Sequence, residues 1–244
     1  MPNWITTVVQ FGGDDKDIQA VLKEISSDET KFDFNKLIPM PETLRTDGGG
    51  YSDIAYAYYY AKKFKRLPDN EHHLKTPQEA IERVERDINI SSQEMFDKGK
   101  VLHENKEKYG ATDWYDWSIA NWGTKWNSHE VRIYNDDGLM EFQTAWGFAA
   151  PVMEKLAELC AKHNVSFEGE WADEDMGSNT GCFSTLGEDG GFAYDYHADC
   201  SSEAYAAYER CCGASDCIGV DENGNYYRHE CNDSCPNYKE CTGW

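Results

Sequence analysis

Six of the nine cysteines, Cys211, Cys212, Cys217, Cys231, Cys235 and Cys241, fall within 31 residues, with His229 among them. Thiolates are zinc ligands, so Cys217, Cys231, Cys235 and Cys241 could close a tetrahedral structural site that holds together a segment with little core of its own. The spacings Cys231-x3-Cys235-x5-Cys241 lack paired Cys-x-x-Cys knuckles, and in a reducing cytosol the same residues read as thiols. Nine is an odd count, which excludes complete pairing within one chain.

A second grouping is aromatic. Five of the eight tryptophans lie in Trp114 to Trp126 and at Trp146. Within it, Trp122, Thr124, Lys125, Trp126 and Asn127, joined by Trp146, offer indole faces, one ammonium and two hydrogen-bonding side chains. Such a set could hold a planar or cationic ligand between rings. The rival expectation is packing: Trp122, Trp126 and Trp146 form one cluster beneath a sheet, while Thr124 and Asn127 fix the loop.

Catalytic templates are missing. The chain carries no phosphate-binding Gly-x-x-x-x-Gly-Lys loop, no Gly-x-Ser-x-Gly elbow, no His-Glu-x-x-His and no dinucleotide fingerprint, so the familiar hydrolase, nucleotide and metalloprotease mechanisms lack their parts. Asp221 to Asn225 is a poor calcium loop, because Tyr226 stands where the tight-turn glycine belongs and Asn232 where the bidentate glutamate belongs. No catalytic residue is assigned.

Charge points to a binding surface. The 244 residues carry a formal charge of -22, which repels nucleic-acid backbones and anionic membranes. Residues 165–244 hold 17 acids and 3 bases, whereas residues 51–111 hold 11 of each. Asp173, Glu174 and Asp175 open the acidic third and are the expected contact for a basic host protein. The same acidity also serves simply as a solvated, solubilising surface. No run of about 18 apolar residues is present to span a bilayer, so a cytoplasmic location is expected.

The elements follow from periodicity. Residues 3–11 are β-branched and aromatic and end at Gly12-Gly13, a strand and turn. Ile18, Val21, Leu22 and Ile25 repeat at helical spacing behind an acidic first turn. Residues 32–38 read as an extended segment closed by Pro39 and Pro41. Helices are expected over 51–66, 77–109 and 113–122, a hairpin over 129–146 around Asn135 to Gly138, a helix over 151–163 and a strand over 165–171. Further strands (183–186, 191–196), a helix (203–211) and a small hairpin (218–229) follow.

Three segments carry a resemblance: Met1-Pro2-Asn3-Trp4, Phe32 to Pro41, and Trp114 to Asn127 with Glu141 to Trp146. The sequence resembles the YubB ferredoxin-like domain family of phage and plasmid proteins. That resemblance implies a mobile-element protein and assigns no site residues. With the periodicity it implies an α+β fold: a four-stranded antiparallel ferredoxin-like sheet backed by the helices near 14–27 and 151–163. Residues 1–45 and 112–190 would form that domain, 46–111 a helical insertion, and 191–244 an acidic Cys-rich extension. The expected function is non-enzymatic binding of a host macromolecule through the acidic surface, as in counter-defence or nucleic-acid mimicry. The alternative is a small-ligand module built on the Trp-rich hairpin.

Overall fold

The computed structural model describes residues 3–45, 50–69, 74–86, 91–187 and 191–229. The β-branched and aromatic run forms strand β1 (Trp4–Gly12), and helix α1 (Asp15–Ile25) follows. The expected insertion, 46–111, holds α2 (Gly50–Phe64), α3 (Pro77–Arg86) and α4 (Ser92–Tyr109), and α5 (Trp114–Trp122) follows it. The hairpin β2 (His129–Tyr134) and β3 (Leu139–Ala145) leads to α6 (Ala150–Lys162), β4 (Ser166–Asp173), β5 (Gly181–Leu186) and β6 (Gly191–Tyr196). Helix α7 (Ser202–Cys212) and a two-stranded ribbon, β7 (Ile218–Val220) with β8 (Tyr226–Arg228), complete the described chain.

Strand order in the main sheet is β2-β3-β1-β4-β5-β6, and every neighbouring pair is antiparallel. The first four strands carry the ferredoxin-like order, with α1 following β1 and α6 following β3. The sheet is thus two strands wider than the four expected, because β5 and β6 add to the outer side of β4. Period-two alternation divides its faces. Ile5, Thr7, Val9 and Phe11 of β1 are buried, as are Ile18, Val21, Leu22 and Ile25 of α1 and Val152, Met153, Leu156, Ala157 and Cys160 of α6. Phe148 stacks on Trp171 at 4.0 Å between centroids and lies 5.3 Å from Phe183. Gly169 permits that layer: a Cβ there would stand 2.0 Å from the Val8 carbonyl oxygen and 2.6 Å from the Phe183 ring. Helix α7 packs against β4, β1 and β5 on the other face, where its Arg210 meets Glu170.

Two expectations change. Residues 32–38 are not a strand but a 3-10 turn (Phe34–Lys36), because the Asp33 carboxylate accepts the Asn35 amide at 3.0 Å and curls the chain locally. The span 77–109 is two helices, since Ser91 starts α4 as its N-cap, accepting from the Glu94 amide at 3.3 Å.

Contacts divide the chain into Met1–Pro39 with Asn121–Trp244, which holds the sheet, and Met40–Ala120. β6 and α7 fall in the unit that holds the sheet. Met40–Ala120 has its own apolar cluster, in which Tyr56, Tyr58, Tyr59, Tyr60, Val84, Met95 and Leu102 are buried. The tyrosine run is thus packing. Gly99 lets α4 lie against α2, as a Cβ there would stand 2.1 Å from the Ala55 carbonyl oxygen.

Candidate functional site

The sheet face opposite α1 and α6 is read directly from the register. Arg132, Glu141, Val8, Glu170, Cys182 and Asp195 form one row across six strands. The next row runs Tyr134, Leu139, Gln10, Glu168, Ser184 and Ala193. Gln10, Glu168 and Asp195 are exposed. α7 lies over β4, β1 and β5 on this face and leaves beside it a pocket of about 650 Å³, lined by Val8, Gln10, Glu168, Glu170, Cys182 and Asp195 among others. This face was legible in one signal that the sequence reading passed over: Glu168 and Glu170 stand two apart in a strand and must share a side.

Its electrostatics are one-sided. Arg210 donates from Nε and Nη2 to both carboxylate oxygens of Glu170, and this bond holds its guanidinium charge even more firmly than usual. Arg132 donates to Glu141 at 3.0 Å. Both arginines are therefore committed to glutamates, while Glu168 and Asp195 face outward. The Cys182 thiol is pushed up by burial and by the nearby Glu170 and Asp195 charges, so it stays protonated and is a weak nucleophile. No histidine lines the pocket to activate Ser184. The arrangement can attract cations; it holds no activated nucleophile among its lining residues.

The Trp-rich residues separate into two groups. Trp122 is buried, donates from Nε1 to the Ile38 carbonyl at 2.9 Å and meets Phe34 edge-on at 5.8 Å. Thr124 is buried and donates to the Ala145 carbonyl at 2.8 Å. Asn127 accepts from the Phe34 and Ser128 amides and donates to Asp33 at 2.8 Å. These three serve the fold. Trp126 and Trp146 are 38% and 48% exposed, and Lys125 Nζ lies 4.4 and 4.7 Å from their ring centroids. Trp4 joins them, 6.1 Å from Trp126 and 4.8 Å from His129. The three rings expected in one cluster are thus split, because Trp122 turns inward while the other two sandwich a lysine of their own chain.

The acidic triplet is split as well. Asp173 is only 5% exposed, and its carboxylate accepts from the Asp175 amide at 2.9 Å and from Asn179 and Asn3. It holds the β4–β5 connection and cannot meet a partner; Glu174 and Asp175 are exposed. Of the four proposed zinc ligands, Cys217 is buried, and Cys231, Cys235 and Cys241 lie outside the described residues. Among the described residues no three His, Cys, Asp or Glu side chains gather as a metal site. Burial alone pushes the Cys160 thiol up to about 12.

An antiparallel sheet in the order β2-β3-β1-β4, with a helix after β1 and another after β3, is what a ferredoxin-like domain requires, and the sequence comparison agrees. Residues 121–211 match the family model of the ferredoxin-like domain in Api92-like protein. The matched span begins at the end of α5 and runs through β2 to β6 and nearly all of α7, so it contains most of the acidic face and leaves out β1. A crystal structure of protein api92 from Yersinia pseudotuberculosis is 8% identical, with 81% of this chain and 99% of that chain covered and a TM-score of 0.34. At that distance it adds nothing to the Api92-like domain match. No curated protein matches the chain. Among the described residues no helix is long and apolar enough to cross a membrane.

Proposed function

We propose that this chain is a non-enzymatic binding protein whose acidic sheet face docks a basic macromolecule, a host protein. The observation that supports this reading best is the placement of Glu141, Glu170 and Asp195 in one row with Glu168 beside them, while the two arginines of that face are each paired with a glutamate. The resemblance set out above supports a phage or plasmid setting, in which such a surface would act in the host cytoplasm as a counter-defence or nucleic-acid-mimicking element.

The test uses a labelled lysine-rich peptide as probe and fluorescence anisotropy as readout. Binding is expected to weaken steeply with salt, since exposed charges are screened over about 10 Å at 0.1 M ionic strength. The double change Glu168→Gln with Asp195→Asn, which preserves shape, is expected to weaken it roughly tenfold, ~1.4 kcal/mol. Affinity untouched by salt and by both changes would overturn the reading.

A second reading has one observation in its favour. Trp126 and Trp146 present partly exposed faces on either side of Lys125, a site for a planar anionic metabolite. Quenching of tryptophan fluorescence by nucleotides, lost in Lys125→Ala, would support it; unaltered emission would end it.

A further inference from the structure

The two edges of the main sheet are built differently. β2 is guarded: its register with β3 shifts between His129 and Arg132, Glu130 has φ 46°, and Arg132 is charged. Bulges and charged side chains are the usual means by which a sheet edge is kept from pairing. β6 (Gly191–Tyr196, Gly-Phe-Ala-Tyr-Asp-Tyr) has no bulge, and its one charged side chain is Asp195, which repels an acidic strand and not a basic one. It pairs with β5 in unbroken register, contains no lysine, arginine or proline, and among the described residues no strand lies on its outer side.

Its outward groups can be assigned. His197 donates its amide to the Thr180 carbonyl at 3.0 Å, which sets the phase of the antiparallel ladder. Ala193 and Asp195 then turn their backbone toward β5, and Phe192, Tyr194 and Tyr196 turn theirs outward. The side chains sort by the same alternation. Asp195 lies in the acidic row beside Cys182 and Glu170. Tyr194 and Tyr196 extend the aromatic layer from Trp171 toward the edge, at 6.2 and 5.2 Å, yet stay 46% and 59% exposed.

We propose that β6 is an open docking edge that takes up an extended segment of a basic partner protein as a further strand. Its lysine or arginine side chains lie beside Asp195, at the edge of the acidic row, and the alternate apolar ones lie against Tyr194 and Tyr196. Backbone pairing supplies affinity in such complexes, and the two-faced alternation supplies specificity. Charge selects the occupant: a second copy of this chain would bring its own Asp195 and a formal charge of -22 to the same edge, whereas a basic strand neutralises it. The inference rests on the acidic-face reading and adds to it the form of the partner.

The test uses two labelled peptides as long as β6, of identical lysine and valine content, one alternating and one with the lysines and valines in separate blocks. The alternating peptide is expected to bind the full-length chain roughly tenfold tighter, and N-methylation of its edge-facing amides should abolish that advantage. On the protein side, Tyr194→Pro removes an outward amide without touching the β5 ladder and should lose the advantage, while Tyr194→Thr, which keeps the amide, should retain most of it. If the proline variant does not fold, the N-methylated peptide decides the matter on unaltered protein. Equal, salt-sensitive binding of the two isomers would overturn the docking edge and leave the acidic-face reading standing. Binding of neither would overturn both.

Discussion

Asp33 illustrates how a single carboxylate organises this chain. Burial opposes its charge, but hydrogen bonds from Asn35 and Asn127 outweigh that cost and hold its carboxyl below the ordinary range. A carboxyl whose folded value is depressed stabilises the fold above its unfolded value, about 3.9, and loses that contribution as pH falls through the folded value. Asp33→Asn is therefore expected to flatten the acid limb of the stability curve below about pH 4 while lowering stability at neutral pH, as read by urea midpoints. Asp173 is expected to behave as a structural acceptor: Asp173→Ala strands Asn3, Asn179 and the Asp175 amide and should cost about 1–3 kcal/mol. Glu174→Gln, at an exposed position, should stay within about 0.5 kcal/mol. Neither role is legible in Asp173-Glu174-Asp175 as a string, because adjacent acids look alike until the strand's alternation and the returning chain bury one of them. The same limit applies to Trp122, Trp126 and Trp146. Their clustering was legible and their division was not, since only the turn at Phe34 decides which indole goes inward.

At the scale of elements, most of the architecture could be read from periodicity. β1, α1, the β2–β3 hairpin, α6 and β4 each have an apolar repeat that matches their geometry, and even β5, β6 and α7 were visible as weaker patterns. Phe32 to Ile38 was misread because its aromatic content suggests a strand, whereas the Asp33 side chain competes with strand pairing by satisfying the backbone locally. Two measurements probe the elements around the site. Gly169→Ala would force a Cβ into the Phe183 ring and the Val8 carbonyl, and overpacking of this kind should cost about 1–3 kcal/mol, read in thermal or urea unfolding. Arg210→Gln breaks a partly exposed ion pair, so its effect on stability should be below about 1 kcal/mol. Because Arg210 is also the cation lining the acidic pocket, the same change should strengthen binding of the lysine-rich probe several-fold. Weaker binding would mean that Arg210 contacts the probe directly.

At the scale of the whole molecule, the charge of -22 works against compactness through self-repulsion. Added salt should therefore raise the unfolding temperature while weakening capture of a basic probe, an opposition that can be followed in a single titration. Met40–Ala120 carries its own buried cluster. Leu102→Ala should remove about 2–5 kcal/mol there and speed amide exchange in α2 to α4, leaving β1 and β4 protected. The sheet order also bears on biosynthesis. β1 is central, yet its two partners begin only at Leu139 and Ser166. During translation it is therefore made long before either neighbour exists, while α2 to α4 close through contacts near in sequence. Ile5, Val9 and Phe11, fully buried at the end, must wait exposed on the nascent chain, and closure of pairings so distant in sequence is slow. A nascent chain arrested before Ser166 should accordingly associate with chaperones and aggregate when released, and one arrested after Leu186 should not.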